Sequence, residues 1–287
     1  MNERVSNWEN VLKSSLKINR LTEGVMTFTN TKIQLTPFPV RYDIPNILVV
    51  SKGDPAALKI NGVLYRLKPP FMLVIPSGTY TEDVEFQGKL EYQQIMYDST
   101  FLPLIKKADL AAIFARARIS PLIKLDEPEM QLFKQYIADI EDVYLKEKSD
   151  RNDYLVARTE CLFIHPRIAK VLHSREQKNE IVNQFYTLLD NHVNTKHQLE
   201  FYCSQLNIST KQLHDLLMNE TGKSASEWIS IMLMIKIKQQ LATTRKSIKQ
   251  IAYELQFSSP EHMNIFFRRK EGIPPSTFRK QMNEQLS

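Results

Sequence analysis

Two clusters of polar and charged side chains, set about fifty residues apart near the C-terminus, have the chemistry to meet a hydrogen-bonding polyanion. The first holds Thr210, Lys211, His214 and Asp215; the second holds Ser259, Glu261, His262, Asn264, Ile265 and Arg268. Within each cluster the members recur at steps of three and four, which places them on one face of a helix. These are mostly groups that contact base edges or phosphates.

Sliding the C-terminal region along itself shows what must hold the clusters in place. At a shift of 49, Leu199 falls on Ile248, Cys203 on Ala252, Leu206 on Leu255 and Ile208 on Phe257. The shift then becomes 50: Leu213 falls on Met263, Leu216 and Leu217 on Phe266 and Phe267, Gly222 on Gly272, and Trp228 on Phe278. Apolar or small character is kept at these places, so one folding unit occurs twice, with one residue added in the second turn. Each copy reads as a short helix, a tight turn opened by a Ser or Thr cap, and a second helix ended by glycine, the pattern of a helix-turn-helix. Cys203 and Ala252 are small because the two helices of a unit meet there. Ile208 and Phe257 plug the turn, while Leu213, Leu216 and Leu217, like Met263, Phe266 and Phe267, fasten the second helix and leave its other face free. Between the copies, a helix from about Ala225 to Thr243 carries Ile229, Ile231, Leu233, Ile235 and Ile237 and must be largely buried. A rigid connector of that length holds two recognition helices about one DNA turn apart, so the expected partner is double-stranded DNA.

Bulk composition agrees. The 287 residues, 43% of them hydrophobic, suffice for two domains with separate cores. The formal net charge is +6, and between Ala225 and Ser287 ten Lys or Arg stand against five Glu, which suits a polyanionic partner without requiring one. The two cysteines, Cys161 and Cys203, sit in helical stretches, which argues for a reducing compartment; Cys161, among Leu162, Phe163 and Ile164, reads as a core thiol. Met1 to Asn10 is polar, and the apolar run Ile229 to Ile237 is too short for a bilayer, so a soluble cytoplasmic protein without membrane contact is expected.

Toward the N-terminus the texture is different. Short apolar runs at Asn46 to Val50, Leu58 to Ile60, Val63 to Leu67, Phe71 to Ile75, Val84 to Phe86 and Leu90 to Ile95 read as strands. Asn61-Gly62 has the composition of a type I′ hairpin turn, and Pro69-Pro70, Pro76-Ser77-Gly78 and Gln87-Gly88 supply others. Closely spaced strands without intervening helices imply an antiparallel sandwich or barrel of the jelly-roll kind. After Tyr97 the spacing becomes helical: Phe133, Ile137, Ile140 and Tyr144 form a stripe that reads as a dimer seam or, alternatively, as core. A further helix runs from Tyr154 toward Ile164, and Glu176 to His192 offers another apolar face, which places a boundary near Ser174. Arg116 and Arg118 read as solvated.

The residues also match a family. Ser247-Ile248-Lys249-Gln250-Ile251-Ala252-Tyr253-Glu254-Leu255-Gln256-Phe257, followed by Phe266-Phe267-Arg268-Arg269-Lys270-Glu271-Gly272-Ile273-Pro274-Pro275-Ser276-Thr277-Phe278-Arg279, resembles the C-terminal signature of AraC/XylS-type transcription regulators. The resemblance covers roughly the last 100 residues. Two positions depart from it. Gln256 stands where the family usually has Gly and must take a turn conformation at a cost of about 1 kcal/mol; Leu233 stands where the family often has Arg. The resemblance implies an α+β chain: a cupin-like antiparallel β-barrel over 1–127, a helical linker and dimerisation region over 128–174, and an all-α double helix-turn-helix domain over 175–287. It further implies a homodimer that senses a small-molecule effector and works with RNA polymerase, more often as activator than repressor. On this reading no bond is made or broken, and no cofactor or metal is used.

Other readings remain beside it. A cupin-type enzyme with a helical appendage needs clustered imidazoles, yet all six histidines fall at or after His165. A regulator whose front domain only dimerises or docks proteins needs no effector pocket. A cysteine methyl acceptor would need a reactive thiolate, whereas Cys203 is accounted for by packing. Arg41, Tyr42, Tyr65, Arg66 and Tyr80 are the candidate lining for an anionic effector, with ordinary strand-surface residues as the other reading, because alternation does not say which face is inward.

Overall fold

The computed structural model describes residues 17–20, 25–30, 38–83, 90–97, 101–146, 151–165 and 180–286. The expected strand over 84–86, the turn at 87–88 and the boundary near Ser174 lie outside these residues.

The front is built from β1 (Lys17–Arg20), β2 (Val25–Asn30), β3 (Val40–Tyr42), β4 (Asn46–Gly53), β5 (Ala56–Ile60), β6 (Val63–Leu67), β7 (Phe71–Ile75), β8 (Thr79–Asp83), β9 (Leu90–Tyr97) and β10 (Leu122–Lys124). They form two antiparallel sheets, ordered β1-β2-β9-β4-β7-β10 and β3-β8-β5-β6, so the described strands make a double sheet and not a closed barrel. The hairpin joining β5 to β6 closes as its sequence requires: Ile60 faces Val63, and Asn61 and Gly62 take φ of 48° and 74°.

The larger sheet has two covered faces, and the smaller sheet's outer face is covered in part. Val50, Leu73, Ile75 and Tyr92 of the larger sheet meet Leu58, Ile60 and Leu67 of the smaller one. The larger sheet's other face, with Ile47, Val49, Met72, Val74 and Ile95, is covered by α2 (Glu127–Lys146) and α3 (Arg151–Ile164), which follow α1 (Leu110–Ile119). Strand β7, between β4 and the edge strand β10, is therefore buried at all five positions, the mark of a strand covered on both sides.

This layering bears on two expectations. Of the stripe read as dimer seam or core, Phe133, Ile137 and Ile140 are fully buried against an apolar sheet face, which makes these three core; the Tyr144 side chain lies outside the described residues. Cys161 is exposed, not a core thiol. Helix α3 turns Leu155, Thr159, Leu162 and Phe163 inward, and Cys161 lies about 200° around the axis from Thr159 at 3.6 residues per turn.

The remainder is helical: α4 (Glu180–His192), α5 (Leu199–Leu206), α6 (Thr210–Thr221), α7 (Ala225–Thr243), α8 (Ile248–Glu254), α9 (Pro260–Glu271) and α10 (Pro275–Leu286). Helix α7 is the hub, packed against α4, α6, α8 and α10, and it buries Ile229, Leu233, Ile235 and Ile237 as its composition demands. Its remaining side meets the front domain. A Cβ placed on Gly62 would stand 2.3 Å from Ile231 Cγ2, so the hairpin tip rests directly on the connector. Tyr80 of the smaller sheet and Phe38, just before β3, belong to the same apolar cluster as the C-terminal helices. Among the described residues no helix is long and apolar enough to cross a membrane.

Candidate nucleic-acid interface

The duplication seen in sequence is a duplication in space. Asn207 ends α5 with φ of 53°, and Gln256, 49 residues on, repeats it at 54°. After each turn the next amide reaches back to the small residue: Ile208 N–H donates to the Cys203 carbonyl at 3.1 Å, and Phe257 N–H to that of Ala252 at 2.9 Å. Ser209 and Ser259 then cap α6 and α9, each hydroxyl accepting an amide N–H at 3.2 Å, from Gln212 and His262. Gly222 and Gly272 end the two helices in the left-handed region, at φ of 69° and 82°. Leu213, Leu217, Met263 and Phe267 are fully buried, and Leu216 and Phe266 pack against the same cluster.

That anchoring determines what faces out. Thr210, Lys211, His214 and Asp215 are exposed along α6; Glu261, His262, Asn264, Ile265 and Arg268 are exposed along α9, with Ser259 half-buried at its cap. Ile265, 65% exposed, is the most exposed large hydrophobic side chain among the described residues. The His262 ring pairs with the Ser258 hydroxyl. The Ser259 hydroxyl holds the Glu261 carboxyl below the usual carboxylate range, so this group stays anionic. Sequence reasoning missed Arg269 and Lys270, which extend the exposed cationic end of α9, and Met218, the exposed counterpart of Arg268 in the first copy.

The five effector candidates do not form one lining. Pairing sets Arg41 opposite Tyr80 and Tyr42 opposite Thr79, and alternation then divides the sheet: Tyr42 and Tyr65 face the inter-sheet core, while Arg41, Tyr80 and Arg66 face away from it. Arg66 is exposed. Tyr65 donates to the Ile119 carbonyl at 3.3 Å. Arg41 and Tyr80 are brought together, but by protein groups. Asp190 of α4 accepts from Arg41 at 2.9 Å and from the Tyr80 hydroxyl at 3.3 Å, and Lys236 of α7 reaches Tyr80 Oη at 2.5 Å and Asp190 at 3.3 Å. Burial pushes the Asp190 carboxyl up, yet Lys236 and Arg41 outweigh it and hold the group below its ordinary range. Burial likewise lowers Lys236 and raises Tyr80.

Arg116 and Arg118, expected as solvated, turn toward the helical domain instead. Arg116 stands 3.5 Å from Glu220 at the end of α6, and burial pulls Arg118 below the usual guanidinium value. Among the described residues no group of His, Cys, Asp or Glu could hold a metal ion.

Residues 202–281 match a family model described as a helix-turn-helix domain, and that is the class of this region. The signature residues over 247–257 and 266–279, which resemble the AraC/XylS type, fall within that match. The HTH-type transcriptional activator RhaS of Escherichia fergusonii is 23% identical over 167 residues, 57% of this chain and 59% of that protein. RhaS of Citrobacter koseri is 22% identical over 161 residues, 55% and 56% of the two chains. The chain thus spans less than two thirds of the length of these relatives. Among solved structures, ToxT from Vibrio cholerae O395 is 13% identical, with 94% of this chain and 100% of that one covered and a TM-score of 0.46. The DNA-binding domain of AdpA, solved with a target DNA, is 19% identical over 37% of this chain and 94% of its own, with a TM-score of 0.34.

Proposed function

We propose that the chain is a sequence-specific DNA-binding regulator of transcription, reading two neighbouring segments of duplex with α6 and α9. One observation carries this: two copies of one frame bury equivalent anchors and leave the opposite helix face exposed and polar. Lys211, Arg268, Arg269 and Lys270 suit phosphates; His214, Asn264 and Ile265 suit base edges and the thymine methyl. The front domain, over 1–127, senses an effector or pairs two chains, and the DNA-reading part, over 175–287, acts with RNA polymerase on the promoter. The similarity to an activator supports activation as the sign of regulation.

The test uses the full chain and a duplex selected from a randomised pool. Lys211→Ala and Arg268→Ala each weaken binding, and each flattens the slope of log affinity against log salt by about one for a lost phosphate contact. Unaltered affinity and slope in both variants would remove these residues from the interface.

A second reading of the front domain rests on Arg41 and Tyr80, whose partners are Asp190 and Lys236 of the helical part. In it the smaller sheet is a docking platform for the DNA-reading domain and takes no effector. A thermal-shift screen against small anionic metabolites separates the two: a ligand-dependent rise that Arg41→Ala abolishes supports an effector site.

A further inference from the structure

One buried ammonium joins the front sheet to the end of the second recognition helix. Lys238 of α7, its side chain 4% exposed, stands 2.6 Å from Glu82 Oε1 and 2.7 Å from Glu271 Oε1. Glu82 belongs to β8, and Glu271 is the last residue of α9. The Phe278 ring lies 5.4 Å from the same ammonium.

Each carboxylate is poorly placed without that cation. A negative group at the C-terminal end of a helix opposes the partial negative charge of the unpaired carbonyls, and a buried carboxylate on a strand forgoes its hydration. With Lys238 between them, two groups that would repel are held to one point, and a shift of β8 against α9 must lengthen a short contact. The first copy is built otherwise. The residue equivalent to Glu271 is Thr221, whose hydroxyl donates to the Leu217 carbonyl at 2.7 Å and accepts from Trp228 Nε1 at 2.9 Å, all within the helical domain. Its link to the front is the longer Arg116–Glu220 pair at 3.5 Å.

We propose that Lys238 is a positioning residue for DNA reading: it fixes the orientation of α9 relative to α6 and carries the state of the front sheet to the second recognition helix. The proposal rests on the DNA-binding reading of those helices. It makes the second segment of the operator, more than the first, subject to the front domain.

Two readouts on the full-length chain test it. Spin labels at Asn219→Cys on α6 and Arg269→Cys on α9, in a Cys161→Ser, Cys203→Ala background, report the spacing of the recognition helices without DNA. Glu82→Gln preserves shape, touches neither recognition face, and is expected to shift or broaden that distance distribution; Glu271→Gln should do the same. Footprinting on a duplex selected by the parent chain is the second readout, with the segment read by α9 assigned through Arg268→Ala. There Glu82→Gln weakens protection of that segment about fivefold or more and leaves the other unchanged. Because both carboxylates share one partner, the double variant should fall short of the product of the single effects. If Lys238→Met does not fold, the two Gln variants, each leaving Lys238 one carboxylate, carry the test. Reduced thermal stability with unaltered spacing and footprint overturns the proposal. A parent chain that selects no duplex sinks the DNA reading instead, and the spacing measurement still decides whether Lys238 positions α9.

Discussion

In the first helix-turn-helix the exposed face runs Lys211, His214, Asp215, Met218; in the second the same places carry Glu261, Asn264, Ile265 and Arg268. Charge has been moved from one end of the helix to the other, while the anchors beneath remain Leu213 and Leu217 in one copy and Met263 and Phe267 in the other. Packing tolerates only large apolar groups below, and solvent imposes no such rule above. If both helices read DNA as proposed, two copies of one frame have become two different readers, and an operator for this chain should consist of unlike segments, not a direct repeat.

The strongest way to break that comparison is to remove the frame. Phe267→Ala should cost about 3–5 kcal/mol and Leu217→Ala about 2–5 kcal/mol in denaturant titration, since both side chains are fully buried. Similar losses in both show that the copies depend on equivalent anchors; a loss confined to one would end the equivalence. Next comes Asp190, which serves neither copy alone but seats α7, which both share. Asp190→Asn should cost about 2 kcal/mol near neutral pH, below the roughly 3–5 kcal/mol of a fully buried pair because the carboxyl is partly exposed. Lys236 and Arg41 depress this carboxyl, so its contribution is present above the ordinary carboxylate range and is lost as pH falls through the depressed value. Stability curves of parent and variant should therefore converge in acid.

Smaller effects sharpen the contrast of surfaces. Met218→Arg gives the first copy the cation that Arg268 gives the second; folding stability should move by no more than about 0.5 kcal/mol, while the salt slope of DNA binding steepens by about one. The smallest difference lies in the turns. Gln256→Gly should stabilise by about 0.5 kcal/mol, the relief of a left-handed residue less the entropy glycine loses on folding. Asn207→Gly at the matching place should change less, because asparagine enters that region more readily. Thermal melts that reverse this order would mean the two turns are not equivalent.

The duplicated frame could be read from the chain because helix crossing, turn plug and cap each demand a residue type at a fixed place. Gln256 was legible for the same reason: the position needs positive φ whichever side chain occupies it. The contact between domains was not legible. Period-two alternation on β3, β6 and β8 separates two faces without naming the inner one, so Arg41 and Tyr80 could not be told from Tyr42 and Tyr65. The stripe on α2 was ambiguous too, since an apolar helix face looks alike whether a sheet or a second chain covers it. Cys161 was misjudged from its apolar neighbours in sequence, which a helix sends to other sides. One signal was available: Lys236 and Lys238 interrupt the most apolar helix among the described residues, and cations there require carboxylates from somewhere.

Helix α7, 19 residues long, measures about 28 Å at 1.5 Å per residue and runs unbroken between the two helix-turn-helix copies. Its length cannot be adjusted by small degrees. Inserting one residue advances the second reader by only about 1.5 Å but swings it through about 100°, turning its exposed face away from the duplex. Spacing and angular phase are locked into a single integer, so descendants of this chain can change the letters they recognise far more freely than the gap between them.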